Sequence, residues 1–90
     1  MNEKRDRIQI IHDILISIQE KNGLIKPTHL LYKSNLSHDR LKKYVNELIE
    51  SGMIKEELHS GKKLYKLTEK GFKFIFEYKR IKEFTETFGI

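Results

Sequence analysis

Residues 32–52 read YKSNLSHDRLKKYVNELIESG, and this stretch decides the fold. Ser34 and Asn35 interrupt a short helix that precedes them, because such side chains favour turns over helix interiors. Ser37 is a typical N-cap for a next helix over residues 38 to about 51, which Gly52 ends. The spacing of its apolar residues predicts one buried face, formed by Leu41, Tyr44, Val45, Leu48 and Ile49. The stretch therefore predicts two helices joined by a tight turn.

One longer helix is predicted on the N-terminal side of this stretch. Apolar residues recur there at helical spacing, at Ile8, Ile11, Leu15 and Ile18. We expect the helix to start at Asn2 or Glu3 and to end at residue 21, because Asn22-Gly23 tolerates the left-handed conformation that closes a helix. Residues 24–26 are then extended, since the residue before Pro27 is displaced from helical geometry. Thr28 is the expected N-cap of the short second helix.

The C-terminal side predicts a β-hairpin and a last helix. Residues 53–59 and 63–67 form two predicted strands, and Ser60-Gly61-Lys62 between them is a turn in which glycine takes a positive φ. Thr68 caps a last helix over residues 69 to about 88. This order predicts a mainly α chain with a small β-hairpin, a winged helix-turn-helix with a long C-terminal helix. We expect residues 1–68 to form the winged helix-turn-helix domain and residues 69–90 the C-terminal helix.

The composition argues against several classes of protein. Ninety residues suffice for one domain with a modest core. No cysteine occurs, so disulfides and thiolate metal sites are excluded and a reducing compartment is favoured. No apolar run approaches the roughly 20 residues that span a bilayer, and no signal-like apolar core follows the N-terminus. We therefore predict a cytoplasmic protein with no membrane partner.

Catalytic and metal-binding motifs are absent from the sequence as well. The four histidines have no metal-ligand spacing with one another or with a carboxylate cluster; they are His12, His29, His38 and His59. The chain has no glycine-rich phosphate loop, no serine-centred elbow and no paired-carboxylate motif. We therefore expect no enzyme, no metal and no cofactor; no small-molecule ligand is evident from the sequence, which leaves an effector ligand open.

The net charge of +5 is unevenly distributed along the chain. Residues 26–46 have five basic side chains and one acidic, and residues 60–90 have eight basic and four acidic. Residues 1–25 are balanced, whereas residues 47–59 have an excess of acidic side chains. Two basic windows of this kind favour a polyanion such as nucleic acid as the partner, although a solubilising surface would have the same composition.

The helix after Ser37 carries the candidate binding residues. Its exposed N-terminal half is basic and contains an amide, whereas Glu47 and Glu50 lie in its second half. In helix-turn-helix proteins the first residues of the second helix reach base edges in the major groove, where Arg bonds guanine and Asn bonds adenine. The candidate DNA contacts are therefore Ser37, His38, Arg40, Lys42, Lys43 and Asn46. The alternative is a solvated helix face.

The hairpin tip adds Lys62 and Lys63, whose chemistry suits phosphate contact rather than base reading. Lysines at an exposed hairpin also discourage edge pairing, which is the alternative role. Together, the helix and the hairpin predict a double-stranded DNA-binding protein, acting as a transcriptional regulator or a chromatin component. The alternative is a winged-helix module that binds another protein without binding DNA.

The last helix is long for so small a domain and rich in large apolar residues. Phe72, Ile75 and Phe76 are expected to pack back on the first helix and the hairpin. A heptad-like spacing predicts that a second set forms a homodimer, an antiparallel two-helix coil, through Phe74, Tyr78, Ile81, Phe84 and Phe88. The alternative is a single helix that folds against the first helix and buries all of these residues.

Several stretches resemble a known family. They are residues 26–28 (KPT), 32–37 (YKSNLS), 41–44 (LKKY), 48–49 (LI), 52–54 (GMI) and 65–71 (YKLTEKG). Together they resemble the archaeal winged-helix family of predicted transcriptional regulators, and the chain is similar to small archaeal chromatin-associated DNA-binding proteins that dimerise through a long C-terminal helix. The resemblance implies DNA binding by Ser37, Arg40, Lys43 and the hairpin, dimerisation by the last helix and a nucleoid-associated location. Thr85 and Gly89 interrupt the apolar pattern, which argues against an extended dimer rod.

Overall fold

The computed structural model describes residues 5–90, which form four helices and a three-stranded antiparallel sheet. In chain order the elements are α1 (Arg7–Gln19), β1 (Leu24–Ile25), α2 (Pro27–Ser34), α3 (His38–Glu50), β2 (Ile54–His59), β3 (Lys62–Leu67) and α4 (Glu69–Thr87). The predicted order of elements and the mainly α class are thereby confirmed.

Helix α1 begins at Arg7, because a reciprocal cap precedes it. The Asp6 carboxylate accepts a hydrogen bond from the Gln9 backbone N–H at 2.8 Å, and the Gln9 side-chain oxygen accepts one from the Asp6 N–H at 3.1 Å. The start predicted at residue 2 or 3 lies outside the described residues, but residues 5 and 6 are not helical. At the other end, Asn22 and Gly23 adopt φ values of 60° and 85°, as predicted.

The start of α2 corrects one prediction. The sequence predicts Thr28 as the N-cap, but Lys26 occupies that position and Pro27 is the first helical residue. Proline suits that position because its φ is preset for a helix and its missing N–H would have no partner there. Asn35 ends α2 in the left-handed conformation at a φ of 57°. Ser37 caps α3 as predicted, accepting a hydrogen bond from the backbone N–H of the third helical residue at 3.2 Å.

The sheet joins distant parts of the chain in the strand order β1-β3-β2. Strand β1, predicted only as an extended segment, pairs with β3 through Leu24–Lys66 and Ile25–Tyr65. Ser60 and Gly61 close the β2–β3 hairpin with φ values of 53° and 78°. Positive φ at both central residues is typical of a type I′ turn, whose twist suits a two-residue hairpin. Lys62 was predicted in the turn, but it is the first residue of β3.

The core lies between α1, α2, α3 and the inner face of the sheet. Its fully buried apolar residues are Ile10, Ile14, Leu15, Ile18, Ile25, Leu30 and Ile54. On the predicted apolar face of α3, Leu41, Val45 and Leu48 are buried, whereas Tyr44 and Ile49 are half-buried. Helix α3 is thus held by one side, and its other side faces solvent.

The first half of α4 belongs to the same core. Ile75 is buried there, and α4 packs on α1 with the Tyr78 ring stacked on the His12 ring at a centroid distance of 4.1 Å. Beyond these contacts α4 continues with exposed residues. The predicted boundary between a domain of residues 1–68 and a C-terminal helix of residues 69–90 stays a prediction. Helix α4 is one continuous helix whose first half packs on the core and whose second half does not.

Gly71 allows α4 to approach the base of the hairpin. A β-carbon at this position would lie 2.5 Å from Leu67 Cδ1 and would also overlap the Met53 carbonyl oxygen. The Gly71 N–H donates to the hydroxyl of Thr68, the predicted N-cap of α4, at 3.2 Å. That hydroxyl donates in turn to the Gly52 carbonyl at 2.6 Å. The start of α4 is therefore bonded to the end of α3, which holds the hairpin beside α3.

Candidate nucleic-acid interface

The exposed side of α3 and its N-cap present the six predicted contacts that lie between residues 37 and 46. Ser37, His38, Arg40, Lys42, Lys43 and Asn46 are all exposed. The Ser37 hydroxyl oxygen serves as the N-cap acceptor, so its first role is to start the helix. The five other side chains are carried by a regular helix whose opposite side lies in the core. A partner would thus meet them on a rigid element.

A groove of about 340 Å³ separates α3 from the hairpin, and we call it the α3–hairpin groove. Its α3 wall contains His38, Lys42 and Asn46, which share one face because they are four residues apart. Its hairpin wall contains Glu56, Lys63 and Tyr65, and α2 closes it with Pro27, Thr28 and Leu31. The structure therefore brings four of the eight predicted residues together around one concave surface.

The other predicted residues lie outside this groove. Arg40 and Lys43 line a shallow depression on the outer side of α3, which Lys42 and Asn46 border as well as the groove. Lys62 projects from the face of the hairpin opposite to that of Lys63, because successive residues of a strand alternate between faces. Ser37 lies at the N-terminal end of α3. The candidate contacts thus form a groove set and an outer set.

The cations of α3 are available to an anionic partner. Within residues 5–90, Lys42 and Lys43 form no ion pair, whereas Lys63 Nζ lies 3.5 Å from Glu56 Oε2 and 5.7 Å from the centroid of the Tyr65 ring. Tyr65 and then Glu56 raise the pKa of Lys63 above its ordinary value, so this lysine stays charged. An anion that enters the groove must therefore compete with Glu56 for Lys63.

The far face of the hairpin carries a second charge cluster, centred on Glu57. Its carboxylate lies 2.9 Å from His59 Nε2, 3.5 Å from Lys55 Nζ and 3.6 Å from Lys66 Nζ. The hydrogen bond with His59 lowers the pKa of Glu57 below its ordinary value, and Lys66 and Lys55 act in the same direction. The two lysines of this cluster are therefore partly neutralised within the hairpin.

The acidic second half of α3 is paired with α1. Arg7 Nη1 lies 2.8 Å from Glu47 Oε2, and the Arg7 guanidinium lies 5.8 Å from the centroid of the Tyr44 ring. This ion pair directs Glu47 toward α1 and away from the α3–hairpin groove. The basic N-terminal half of α3 is therefore the part of the helix that is presented to an anion.

Comparison with known proteins identifies the fold family. A family model described as winged helix-turn-helix matches residues 4–86, nearly the whole chain. The chain belongs to the winged helix-turn-helix family. The resemblance carried by the sequence motifs is thereby confirmed, and the β2–β3 hairpin is the wing of this family. No curated protein matches the sequence.

Solved structures show the same winged-helix fold. Sso10a-2, a DNA-binding protein from Sulfolobus solfataricus, has a TM-score of 0.78 and 21% identity, covering 93% of this chain and 85% of that chain. F93 from STIV, a winged-helix DNA-binding protein, has a TM-score of 0.73 and 24% identity, covering 87% of this chain and 90% of that chain. SSV1 F-93 has a TM-score of 0.64 and 27% identity, covering 87% and 91% respectively. In each case most of both chains is covered.

Thr28 lines the groove of this winged helix, but the sequence does not predict it as a contact. It is exposed in the first turn of α2 and lines the α3–hairpin groove. The first-turn amides of a helix have no intrahelical acceptor, and no side chain caps α2. The signal that locates Thr28 is the preceding Pro27, because proline favours the first helical position and so makes Thr28 the second. Its hydroxyl and N–H are therefore available at the edge of the groove.

Helix α4 of the winged helix presents a different apolar surface from the predicted one. Phe74 and Tyr78, predicted at a dimer interface, are half-buried, and Tyr78 stacks on His12 of the same chain. Burial lowers the pKa of His12 below its ordinary value. By contrast, Phe72 and Phe76, expected to pack on α1 and the hairpin, are 44% and 60% exposed. The expectation of a packed Phe72 and Phe76 is wrong, because the two rings line an open cleft of about 540 Å³ between α4 and α1 that leaves them largely exposed.

The described part of the chain has no cluster of three or more His, Cys, Asp or Glu side chains fit to hold a metal ion. None of its helices combines the length and the hydropathy needed to cross a membrane.

Proposed function

We propose that this chain binds double-stranded DNA, with the N-terminal half of α3 in the major groove and the hairpin along the phosphate backbone. The observation that carries the proposal is the α3–hairpin groove, whose walls bring together His38, Lys42, Asn46 and Lys63. A major groove about 12 Å wide admits an α-helix, whose diameter with side chains is about 10–12 Å. Sso10a-2 and F93, two of the similar structures, are described as DNA-binding proteins, which supports the proposal.

The contacts divide by chemistry. Arg40 and Asn46 suit base edges, because guanidinium and amide groups form paired hydrogen bonds with guanine and adenine. The lysines of α3 and of the hairpin suit phosphates, which supply affinity without reading sequence. A chain that binds in this way acts as a transcriptional regulator or a chromatin component, is located with the DNA of the cell, and needs no catalytic step.

The salt dependence of binding tests this proposal. Four exposed lysines would meet phosphates: Lys42, Lys43, Lys62 and Lys63. At about 0.9 per neutralised phosphate, they predict that the logarithm of the binding constant falls against the logarithm of salt concentration with a slope of about −3.6. From about 50 to 200 mM salt, this slope amounts to a roughly 150-fold loss of affinity. Fluorescence anisotropy of a labelled duplex of mixed sequence measures it.

A pair of matched variants assigns the slope to α3. The double substitution Lys42→Ala and Lys43→Ala should reduce its magnitude by about 1.8, because two phosphate contacts are lost. The control Lys73→Ala and Lys79→Ala removes the same charge from exposed positions of α4 and should leave the slope unchanged. Equal slopes for the two variants would contradict the assignment to α3. A chain that binds no duplex even at low salt would contradict DNA binding and favour a protein-interaction module.

We propose further that a second copy of this chain is a partner, held through α4. The second half of α4 has nothing to pack on within the described residues, and from residue 83 onward only Thr85 is as much as half-buried. Ile81, Phe84 and Phe88 are 64%, 60% and 65% exposed. Large apolar surfaces of this kind mark contact sites in soluble proteins.

The exposed phenylalanines follow one row along α4. Positions four residues apart carry Phe72, Phe76, Arg80, Phe84 and Phe88, all of them exposed, and we call this set the α4 row. Rows of this spacing are the ridges through which two helices pack, at a crossing angle of about −50°. The α4 row has the same composition from either end. In a two-fold pair with Arg80 at the crossing, Phe76 would therefore meet Phe84 of the second copy, and Phe72 and Phe88 would lie at the edges of the contact.

The charge of Arg80 is compatible with this position. Its Nη1 lies 2.9 Å from Glu77 Oε1, and its guanidinium lies 5.9 Å from the centroid of the Phe76 ring. The cation is thus paired and stacked within its own chain. Two copies can approach at this point without leaving an isolated charge between them.

Cysteine cross-linking tests the two-fold arrangement, since the chain has no native cysteine. Packed helix axes lie 8–10 Å apart, which places two Cα atoms at the crossing about 3.5–5.5 Å apart, a range that overlaps that of a disulfide. Arg80→Cys should therefore form a covalent dimer under mild oxidation, whereas Lys73→Cys, on the same helix, should not. Equal cross-linking of the two variants would contradict the geometry.

Light scattering tests the dimer itself. The unaltered chain should have twice the monomer mass, and the double substitution Phe84→Ser and Phe88→Ser should return it to the monomer, because the substitutions of the two copies remove apolar contacts on both sides of the crossing. A monomer at high concentration for the unaltered chain would remove the proposal.

A further inference from the structure

Leu58 is an uncovered apolar residue near the tip of the hairpin. It is 75% exposed, between charged neighbours in β2. Its cross-strand partner is Lys63, whose aliphatic stem is long enough to cover a neighbouring leucine. The Lys63 ammonium lies instead near Glu56 Oε2, at 3.5 Å, and near the Tyr65 ring, at 5.7 Å. Both of these residues are nearer the base of the hairpin, so the lysine stem is directed away from Leu58.

Leu58 projects from the hairpin face that lines the α3–hairpin groove. Cross-strand pairs that are two residues apart share a face of the hairpin. The pairs on the same face as Leu58 are Ile54–Leu67, Glu56–Tyr65 and Leu58–Lys63. The innermost pair is buried in the core, and the middle pair forms part of the groove wall. Leu58 continues this face outward, two residues before the turn at Ser60 and Gly61. At about 3.3 Å per residue, it lies about 7 Å from the tip.

We infer that Leu58 is an apolar wedge that enters the minor groove of DNA, separates a base-pair step and bends the duplex. The inference rests on the proposed DNA binding. A minor groove about 6 Å wide is too narrow for two strands about 4.8 Å apart together with their side chains, so the hairpin lies across it and only a side chain enters. Proteins that kink DNA use leucine and similar residues in this way.

The residues beside Leu58 fit this position. Lys63 projects from the same face of the hairpin as Leu58, so it can reach a phosphate beside the minor groove. The two-residue turn is short and hydrogen-bonded between its strands, which holds the leucine at a fixed depth. Pyrimidine–purine steps such as TA unstack most easily. The wedge would therefore favour duplexes with a TA step under the hairpin, although no hydrogen bond to the protein recognises the bases of that step.

The experiment uses short duplexes in which 2-aminopurine replaces adenine at every TA step. Unstacking raises the fluorescence of this base, and labels on the two duplex ends report bending by energy transfer. On saturation with the unaltered chain, we expect the 2-aminopurine signal to rise about twofold and the ends to approach, with a kink of at least about 20°. Leu58→Ala should abolish both changes and weaken binding by roughly fivefold, because the buried apolar contact is lost.

Two further variants separate a wedge from a general effect. Leu58→Phe keeps a large apolar side chain and should retain the fluorescence rise. Ile8→Ala removes an exposed apolar residue from α1 and should change nothing. Leu58 is exposed, so none of these substitutions disturbs the core.

Anisotropy on the same duplexes keeps this inference distinct from DNA binding. Binding with a steep salt dependence, but with no fluorescence rise or with an equal rise for Leu58→Ala, would overturn the wedge and leave DNA binding intact. A chain that binds no duplex at low salt would overturn both.

Discussion

Replacing Gly71 by alanine tests how α4 sets the position of the hairpin. The added carbon would lie 2.5 Å from Leu67 Cδ1 and 3.3 Å from Leu67 Cγ, and would overlap the Met53 carbonyl oxygen. Leu67 is 3% exposed, so its side chain is enclosed by neighbouring residues. The Met53 carbonyl accepts a hydrogen bond from the Thr68 N–H at 3.1 Å, so it cannot move without losing that bond.

The opposing contributions can be compared. Alanine in place of glycine favours a helix by up to about 1 kcal/mol. Overpacking a filled site costs about 1–3 kcal/mol, and weakening a backbone hydrogen bond costs about 1 kcal/mol more. We expect a net loss of about 2 kcal/mol in the free energy of unfolding, which lowers the Tm of a domain of this size by roughly 10 °C.

Urea denaturation followed by circular dichroism measures this loss. Lys73→Ala, at an exposed position of the same helix, is the control and should stay within about 0.5 kcal/mol of the unaltered chain. Gly71→Ala should also weaken DNA binding, although residue 71 would not touch DNA, because the hairpin would move relative to α3. A Gly71→Ala protein as stable as the unaltered chain would refute the reasoning that this close approach holds the hairpin in place.

Three further changes have expected outcomes. Ser37→Ala removes the N-cap acceptor of α3 and should lower the free energy of unfolding by about 1 kcal/mol in urea denaturation; an unchanged value would contradict the cap. Burial lowers the pKa of the His12 side chain in the folded chain. As pH falls through the ordinary value of 6.5, His12 is therefore protonated in the unfolded chain before it is protonated in the folded chain, so the native state is most stable above that pH. His12→Phe, which keeps a ring on Tyr78, should remove the loss of stability between about pH 7 and 5.5, and a loss of the same size in that variant would exclude His12 as its cause. Glu56→Gln removes the carboxylate that competes for Lys63 and should tighten duplex binding about three- to tenfold at low salt in anisotropy titrations, whereas weaker binding would contradict this competition.

Much of the fold follows from local signals in the sequence. Asn35, Ser37 and Thr68 act within one helical turn, through a left-handed residue or a side chain that caps the adjacent helix, so their roles are predictable from the residue types alone. The pairing of β1 with β3 is not of this kind. It joins Leu24 to Lys66, and nothing near Leu24 in the sequence indicates its partner.

The candidate site is predictable as a set of residues but not as an arrangement. The residues of α3 follow from helical periodicity, whereas their separation into a groove set and an outer set depends on where the hairpin lies. One residue of turn length also matters. A three-residue turn was expected at residues 60–62, but the turn has two residues, which places Lys62 in β3 on the face opposite to Lys63. On α4, Phe72 and Phe76 were misplaced because sequence spacing gives several apolar rows and only packing selects the buried one.

The position of β3 in the middle of the sheet has a consequence for the synthesis of the protein. This strand is the last of the three to be made, yet it is the one with which both β1 and β2 pair. Until Leu67 has been added, Ile25 and Ile54 have no sheet in which to be buried, although the helices between them can already form from local signals. The chain therefore completes its fold late in synthesis, and we expect a chain that ends before β3 to expose two unpaired strands and to aggregate.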